Sequence, residues 1–233
     1  MRIGIIGAMN EEVIELKSLM TIEKTEEIHG FNYYIGKILE KDVVLVESGI
    51  GKVNSAVCTT LLIQVFKVDR IIFTGVAGAV GRTLNIGDVV IGSELIEHDF
   101  DCTAFGMQPG VIPRMDTSIF KSDEKLVAIA KESVIKILGE HRTKIGVVVS
   151  GDQFIANKEK IQWLGDTFNA QCTEMEGASV AHVCYLCKVP FVILRAISDK
   201  ADGSAHMDFP KFVQLAAENS KNVVVEMLKE INL

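Results

Sequence analysis

The sequence is poor in positive charge, and this shortage excludes several kinds of partner. Its 233 residues carry 24 Lys and Arg side chains against 31 Asp and Glu, a formal charge of -7 with no basic cluster. Proteins that bind nucleic acids neutralise phosphates with cationic side chains. No apolar run approaches the roughly 18 residues of a membrane-spanning helix. We therefore expect neither a nucleic-acid nor a membrane partner.

Secretion signals and paired cysteines are lacking as well. The short apolar run at the start of the chain leads directly into Asn10, Glu11 and Glu12 without a cleavage site. The five cysteines are odd in number and lie in apolar segments, as expected of reduced thiols. Both observations predict a soluble, cytoplasmic protein. The cysteines are Cys58, Cys102, Cys172, Cys184 and Cys187.

Metal-ligand patterns are weak. The only C-x-x-C motif, "CYLC", has no second pair, and two buried helix thiols explain it better than a zinc site. The segment "HDFD", with His98, Asp99 and Asp101, fits a solvated strand end equally well. We expect no metal and no cofactor.

Apolar material is abundant, at 48% of the residues, which is enough for one sizeable core. We expect one domain over residues 1–233. Val- and Ile-rich runs predict strands at 2–8, 31–38, 42–49, 70–78, 87–99, 144–152 and 189–199. Helical periodicity predicts helices at 11–20, 53–66, 122–138, 158–164, 177–187 and 210–231. This alternation predicts an α/β fold, a three-layer α/β/α domain with a mixed, mostly parallel central sheet.

Polar residues follow the carboxyl ends of the predicted strands, the edge where open α/β sheets bind ligands. Glu12, Glu176 and Asp199 would meet there. Each has a structural explanation of its own, because carboxylates favour helix N-termini and Asp199 could form an Asx turn. Gathering three carboxylates raises the cost of ionising each, so a shared use is favoured: a cationic transition state, a metal or sugar hydroxyls.

Several common motifs are missing. The chain has no G-x-S-x-G, no G-x-G-x-x-G after the first strand and no correctly spaced Walker loop. Glycine-rich turns remain in "SGIG" and "TGVAGA", where backbone could approach a ligand closely. The stretch 101–118 contains Pro109, Gly110 and Pro113 without a clear period, so we predict a long, functional loop.

Ordered motifs along the whole chain carry a family resemblance. They are "GIIGAMNEE", "SGIGKVNSA", "TGVAGA", "GDVVIG", "HDFDCTAFG", "SGDQFI", "EMEGASVAHVC", "VPFVILRAISDKAD" and "FPKF". In order and spacing they resemble the 5'-methylthioadenosine/S-adenosylhomocysteine nucleosidases of the nucleoside phosphorylase-like superfamily. The resemblance implies that fold, and irreversible hydrolysis of the N-glycosidic bond to adenine and a 5-thio-substituted ribose. It also implies 5'-deoxyadenosine as a further substrate and a role in methionine salvage and recycling of adenosyl by-products.

The resemblance also implies catalytic roles. Asp199 would protonate the departing adenine, Glu12 would deprotonate the attacking water, and Glu176 would bind the ribose hydroxyls and stabilise positive charge on the sugar. Such a reaction needs one acid, one base and nearby negative charge.

A wider set of residues would bind the adenosyl nucleoside. Met175 would lie over the ribose, Ser198 and Arg195 would support the acid, and Phe154 with the backbone of Ile155 would bind adenine. An apolar pocket for the 5'-thioalkyl group would be formed by Met9, Ile50, Phe105, Pro113 and Phe209. The substrate-binding set also includes Ala77, Gly78 and Glu174. Because the family's long loop reaches the neighbouring site, Phe105 and Pro113 imply a homodimer.

Two positions depart from the family pattern. Val76 stands where many members carry a small hydroxyl residue, and Cys102 where an aliphatic residue is frequent, which leaves the 5'-substituent preference open. Substrate ranking, including aminodeoxyfutalosine, is open too. The alternatives are a nucleoside phosphorylase, disfavoured because only Arg82 lies near the glycine turns to bind phosphate, and a non-catalytic nucleoside-binding module, which leaves the carboxylates unused.

Overall fold

A computed structural model describes residues 1–200 and 205–231, with the side chains of 1–200 and 209–231. Ten strands and six α-helices lie in this part of the chain. The strands are β1 (Arg2–Gly7), β2 (Thr21–Ile28), β3 (Phe31–Ile38), β4 (Lys41–Glu47), β5 (Arg70–Ala79), β6 (Val89–Glu97), β7 (Phe120–Lys121), β8 (Thr143–Ser150), β9 (Ala170–Glu174) and β10 (Phe191–Asp199). The helices are α1 (Asn10–Ser18), α2 (Lys52–Gln64), α3 (Glu124–Leu138), α4 (Lys158–Phe168), α5 (Gly177–Cys187) and α6 (Ala205–Glu230).

The strands form one mixed sheet in which β1, β4, β5 and β10 are mutually parallel through the pairs β1–β4, β1–β5 and β5–β10. Their carboxyl ends therefore meet at one edge. On the far side, β10 pairs with β6, β6 with β8, β8 with β9, and β9 returns to β5, so five strands close on themselves. The hairpin β2–β3 extends the open side next to β4.

Helices cover both faces of the sheet, as the α/β prediction requires. Apolar residues of α2 and α5, among them Leu62 and Val180, pack on one face of the sheet. Residues of α1, α3 and α6, such as Leu16 and Val223, pack on the other. Strands covered on both faces are continuously apolar, which explains why their sequences lack a polar alternation.

Three strands escape prediction. The strand β2, "TIEKTEEI", is polar and largely exposed, because it is the outer strand of a hairpin with no layer over it. The strands β7 and β9 have two and five residues, too short for a periodic signal. The predicted loop over 101–118 holds one short 3-10 turn, Thr103–Phe105, and no strand.

Helix boundaries also differ from the predictions. The helix predicted at 11–20 begins instead at Asn10 and ends at Ser18, and Met9 is its N-cap. Met9 offers no side-chain hydrogen bond to the helix, whereas the carboxylate of Glu12 in the first turn accepts the N–H of Met9. The last helix begins at Ala205, five residues before the predicted start, so Pro210 lies inside it.

No helix within the described ranges is both long and apolar enough to span a bilayer. Residues 201–203 of the motif "SDKADG" lie outside the described residues, as does the tail 232–233. The single domain over 1–233 stays a prediction.

Candidate active site

The edge where the parallel strands end holds a cavity of about 380 Å³. Residues following β1 and β4 form one side, and the last residues of β5, β9 and β10 form the other. The lining residues are Ala8, Met9, Glu12, Ile50, Val76, Ala77, Gly78, Gln153, Phe154, Ile155, Thr173, Glu174, Met175, Glu176, Ser198, Asp199 and Phe209.

Glu12 is a buried carboxylate held by backbone donors from two segments. Its Oε2 accepts the N–H groups of Ala8 at 2.6 Å and Met9 at 3.0 Å, and its Oε1 accepts that of Val76 at 3.0 Å. Burial raises the pKa of Glu12, and the opposing effects of Arg195 and the backbone donors do not cancel that rise. The group is therefore fixed in place and disposed to hold a proton.

Glu176 lies across the cavity at the start of α5 and is also buried. Its Oε1 accepts the N–H of Gly51 at 2.9 Å, and its Oε2 lies 3.8 Å from Nη2 of Arg195. Burial and the neighbouring Glu174 raise the pKa of Glu176, while Arg195 and Gly51 counteract part of the rise. A cationic ligand group would favour the ionised form of this carboxyl.

Behind these two carboxylates lies the ion pair of Arg195 and Glu174. Oε2 of Glu174 accepts hydrogen bonds from Nε and Nη2 of Arg195 and from the N–H groups of Glu176 and Gly177. Ser150 donates its hydroxyl to Oε1. Burial alone would lower the pKa of Arg195, but the surrounding carboxylates raise it overall, so its positive charge is secure.

Asp199 reaches the cavity through an irregularity in β10. The register with β5 shifts between Ile197 and Asp199, and such a bulge turns two consecutive side chains toward one side. Ser198 and Asp199 accordingly both line the cavity. The Ser198 hydroxyl donates to Oδ2 of Asp199 at 2.8 Å, and Asp199 is 2% exposed.

The remaining walls are largely apolar. The rings of Phe154 and Phe209 meet edge to face with centroids 6.0 Å apart, and Phe154 is 54% exposed at the mouth. Met9, Ile50 and Met175 add apolar surface to this lining. A flat hydrophobic group and a second apolar substituent can therefore be bound beside the carboxylates.

Of the sequence-predicted site residues, thirteen line this cavity. Arg195 does not; it contacts the carboxylates from behind. Phe105, 85% exposed, and Pro113, partly buried, lie in the long loop away from the lining. Four lining residues were not predicted, namely Ala8, Val76, Gln153 and Thr173. Each is next in sequence to a predicted site residue, and this proximity is the only sequence feature that could have indicated them.

All charged side chains among the described lining residues are acidic: Glu12, Glu174, Glu176 and Asp199. Arg82 lines a different cavity, together with Lys144, Lys158 and Lys200. No cluster of three His, Cys, Asp or Glu side chains within 1–200 and 209–231 could hold a metal ion. The acidic lining favours a neutral or cationic ligand over an anionic one.

An apolar, carboxylate-lined cavity at the carboxyl edge of this partly closed sheet defines a member of the phosphorylase superfamily, whose family model matches residues 2–229. Within that superfamily, the chain belongs to the 5'-methylthioadenosine/S-adenosylhomocysteine nucleosidases. It is 45% identical to the enzyme of that name from Staphylococcus carnosus (strain TM300), over 98% of this chain and all of the relative. The Actinobacillus succinogenes enzyme is 46% identical over 99% of this chain and all of the relative.

Solved structures agree with this placement. The Neisseria meningitidis nucleosidase in complex with methylthio-immucillin-A has a TM-score of 0.94 and 39% identity, covering 99% of both chains. The futalosine hydrolase of Helicobacter pylori has a TM-score of 0.93 and 38% identity, covering 99% of this chain and 98% of that chain. The predicted α/β fold with a mixed sheet, the family and its superfamily are thereby confirmed.

Proposed function

We propose that this protein hydrolyses the N-glycosidic bond of 5'-methylthioadenosine and S-adenosylhomocysteine, releasing adenine and the 5-thio-substituted ribose. The relatives of 45% and 46% identity are named for these two nucleosides. The observation that carries the proposal is the charge of the cavity, in which every charged lining side chain within the described residues is a carboxylate. A ribosyl cation and a water molecule are compatible with such a lining.

Glu12 is proposed to activate the water. A general base works best when its pKa lies near the working pH, and burial raises the pKa of Glu12 in that direction. The three backbone N–H groups fix both carboxylate oxygens, so the base is oriented before the substrate arrives. The proton taken from water passes to this carboxylate as the oxygen bonds to the anomeric carbon.

Asp199 is proposed to protonate a nitrogen of the adenine imidazole ring, which makes adenine a leaving group. The Ser198 hydroxyl binds Oδ2, which fixes the orientation of the carboxyl group. Phe154 and Ile155 line the same cavity and offer an apolar contact for the purine. The bond to the sugar breaks as the proton is transferred, and its electron pair stays with adenine.

Glu176 is proposed to bind the ribose hydroxyls and to stabilise the positive charge that develops on the sugar. Its burial makes the electrostatic attraction strong, because little water screens it. Arg195 neutralises part of the surrounding negative charge from beneath the cavity, through its contacts with Glu174 and Glu176.

A phosphorolytic reaction is not favoured. A phosphate nucleophile would need cationic donors, yet Arg195 is engaged by Glu174 and Arg82 lines the other cavity. The dianion would instead face Glu12 and Glu176. Water, which is neutral, meets no such repulsion.

The apolar walls leave the substituent at the 5' position less restricted. Met9, Ile50 and Phe209 offer contacts to a thioether without a hydrogen-bond donor that would select its tail. We propose 5'-deoxyadenosine as a further substrate on this ground. Aminodeoxyfutalosine is a candidate too, since the chain resembles a futalosine hydrolase over nearly its whole length.

We also propose a homodimer in which Phe105 and Pro113 complete the neighbouring site. An aromatic side chain that is 85% exposed in one chain is a typical interface anchor. Near the mouth of the cavity, Ile50 and Phe154 are also exposed, so apolar surface continues outward from the site. The five unpaired thiols support a reducing, cytoplasmic location, where the reaction would serve methionine salvage.

One experiment tests the reaction. The purified protein is incubated with 5'-methylthioadenosine, with and without phosphate, and the sugar product is identified by mass spectrometry. The expected result is adenine plus free methylthioribose at equal rates in both mixtures. A sugar phosphate formed only with phosphate would establish the phosphorylase instead, and no adenine release would favour a nucleoside-binding module.

A further inference from the structure

A network of charged side chains lies next to the cavity without lining it. The ammonium group of Lys52 contacts Oδ1 of Asp99 at 2.7 Å and Oε2 of Glu97 at 3.3 Å. The other oxygen of Asp99 accepts the N–H of Asp152 at 2.9 Å. All three side chains of the ion pairs are at least four-fifths buried. These ion pairs are therefore shielded from water, unlike an exposed salt bridge on the surface, which contributes little to stability.

The network joins three loops that border the cavity. Lys52 is the first residue of α2, Asp99 follows β6, and Asp152 follows β8. Oδ1 of Asp152 accepts the backbone N–H of Lys52 at 2.9 Å, so Lys52, Asp99 and Asp152 form a closed ring of hydrogen bonds. The Lys52 carbonyl in turn accepts the hydroxyl of Ser179 from α5.

The neighbouring residue Gly51 transmits this arrangement to the cavity. Its N–H donates to Glu176, and its φ of 99° belongs to a region that favours glycine. A Cβ at Gly51 would lie 3.1 Å from Oδ1 of Asp152, so the peptide is packed closely against the network. The orientation of this single N–H therefore depends on the residues on either side of it.

We propose that Lys52 and Asp99 are positioning residues that hold the Gly51 N–H on Glu176, and thereby keep that carboxylate oriented toward the substrate and make its ionised form easier to reach. The proposal rests on the proposed function, since it assigns Glu176 a role in the reaction. It also connects the two halves of the site, because Asp152 begins the segment that carries Phe154 and Ile155.

Charge balance explains why the lysine is needed. Burial alone would raise the pKa of Asp99 and of Glu97, but the hydrogen bond from Lys52 lowers the pKa of Asp99, and the hydrogen bond from His182 together with the charge of Lys52 lowers that of Glu97. Nδ1 of His182 donates to the other oxygen of Glu97, 2.9 Å away. Without Lys52, Asp99 would lose its ion-pair partner and Glu97 would keep only His182, and the start of α2 would move away from both carboxylates.

The test compares Lys52→Met and Asp99→Asn with Lys131→Met, an exposed position on α3 with no ion pair within the described part of the chain. Steady-state kinetics with 5'-methylthioadenosine are measured from pH 5 to 9, with thermal unfolding in parallel. Losing one hydrogen bond to a charged group corresponds to about a 10-fold effect or more. We expect kcat to fall by that factor in both variants, with KM changed far less, and no effect of Lys131→Met.

The pH profile separates positioning from general damage. The groups facing Glu176 are Glu12, Glu174 and Arg195, which stay unchanged in these variants, together with the Gly51 N–H. Losing that donor moves the acid limb of the kcat profile to higher pH, whereas general destabilisation lowers kcat without moving the limb. The double variant is expected to lose no more than the worse single one.

Wild-type kcat and an unmoved acid limb in either folded variant would overturn the proposal. If Lys52→Met does not fold, Asp99→Asn decides the question, because it keeps an oxygen to accept the Asp152 N–H. Failure of the wild-type protein to release adenine would refute the proposed function itself, and is distinguished from these outcomes by that control.

Discussion

Arg195 and Glu174 form a nearly inaccessible ion pair beneath the cavity, with side-chain exposures of 1% and 3%. The guanidinium lies over the ring of Phe73, 4.0 Å from its centroid. Arg195 therefore lies between the carboxylates of the cavity and the ring of Phe73 in the core. Its space is secured by Gly75 in β5, where a Cβ would lie 2.4 Å from Nη1 of Arg195 and 2.6 Å from Oε1 of Glu12.

Gly75→Ala is therefore expected to displace Arg195 and Glu12 together. Overpacking of a filled interior costs about 1 to 3 kcal/mol, so the melting temperature should fall along with kcat. The measurements are thermal unfolding and adenine release. Gly165→Ala in α4 is the matched control, since its new Cβ would lie 3.6 Å from Val80, an ordinary contact. An active, fully stable Gly75→Ala variant would contradict the assigned crowding.

The sequence pattern predicts the helix and sheet layers of this fold, because strands that are covered on both faces must be apolar throughout. It could not predict the closure of β5, β6, β8, β9 and β10, which depends on a β5–β9 pairing of only two residues at Gly78 and Ala79. The polar strand β2 carries no buried face, so no period marks it. Register and closure are set by tertiary packing and not by local sequence.

Glu12→Gln is expected to lower kcat by about 100-fold or more, as for loss of a positioned base. The amide nitrogen would also face a backbone N–H, of Val76 or of the Ala8 and Met9 pair, which costs about 1 to 3 kcal/mol of stability. Circular dichroism should report an intact fold. Glu11→Gln, at the exposed neighbouring position, is the control and should keep wild-type rates. Near-normal turnover of Glu12→Gln would assign the base elsewhere.

Asp199→Asn is expected to reduce adenine release by about 100-fold or more, because the amide has no acidic proton to give. Its side-chain oxygen can still accept the Ser198 hydroxyl, so the fold should persist. A substrate analogue whose leaving group needs no protonation, such as a 5'-methylthio nitrophenyl riboside, provides the check. The variant should hydrolyse that analogue almost as well as the wild type. Equal losses on both substrates would mean that Asp199 does not act as the acid.

Phe105→Ala is expected to raise KM for 5'-methylthioadenosine, because the proposed dimer places this ring, 85% exposed in the single chain, at the neighbouring site. Co-expression with Glu12→Gln subunits tests whether the ring serves the neighbouring site. A mixed dimer would combine an intact Glu12 with the Phe105 of its partner and recover the wild-type KM. Mixing wild-type chains with the double variant is the control. No recovery would place Phe105 outside the neighbouring site.

Of the proposed catalytic carboxylates, Glu12 and Asp199 are predictable because each lies at or shortly after the carboxyl end of a strand that the sequence marks. Glu176 follows the unpredicted β9 and is marked instead by the predicted helix 177–187 that begins after it.

The residues that support these carboxylates are less predictable. Lys52 and Asp99 are separated by 47 residues and meet only because α2 begins near the point where β6 ends. Val76 was notable in the sequence for its side chain, yet the structure uses its backbone N–H, which any residue but proline supplies.

Glu176→Gln is expected to change the pH dependence of stability. Because burial and Glu174 raise the pKa of Glu176 from its ordinary value of 4.5, the folded protein keeps this proton to higher pH than the unfolded chain. The free energy of unfolding contributed by the group therefore falls as pH rises through the raised pKa.

The variant has no carboxyl group to titrate here, so it does not lose stability in this way. Its melting temperature relative to the wild type should therefore be higher at pH 9 than at pH 5, by at least about 2 °C for each kcal/mol of unfolding free energy that the wild type loses. Thermal unfolding of both proteins at the two pH values measures it, and Glu11→Gln, at an exposed position, serves as control. A difference that is the same at both pH values would mean that Glu176 titrates alike in the folded and unfolded chains. In that case ionising Glu176 in the folded protein would cost no extra free energy, and a ribosyl cation beside it would have no such cost to offset.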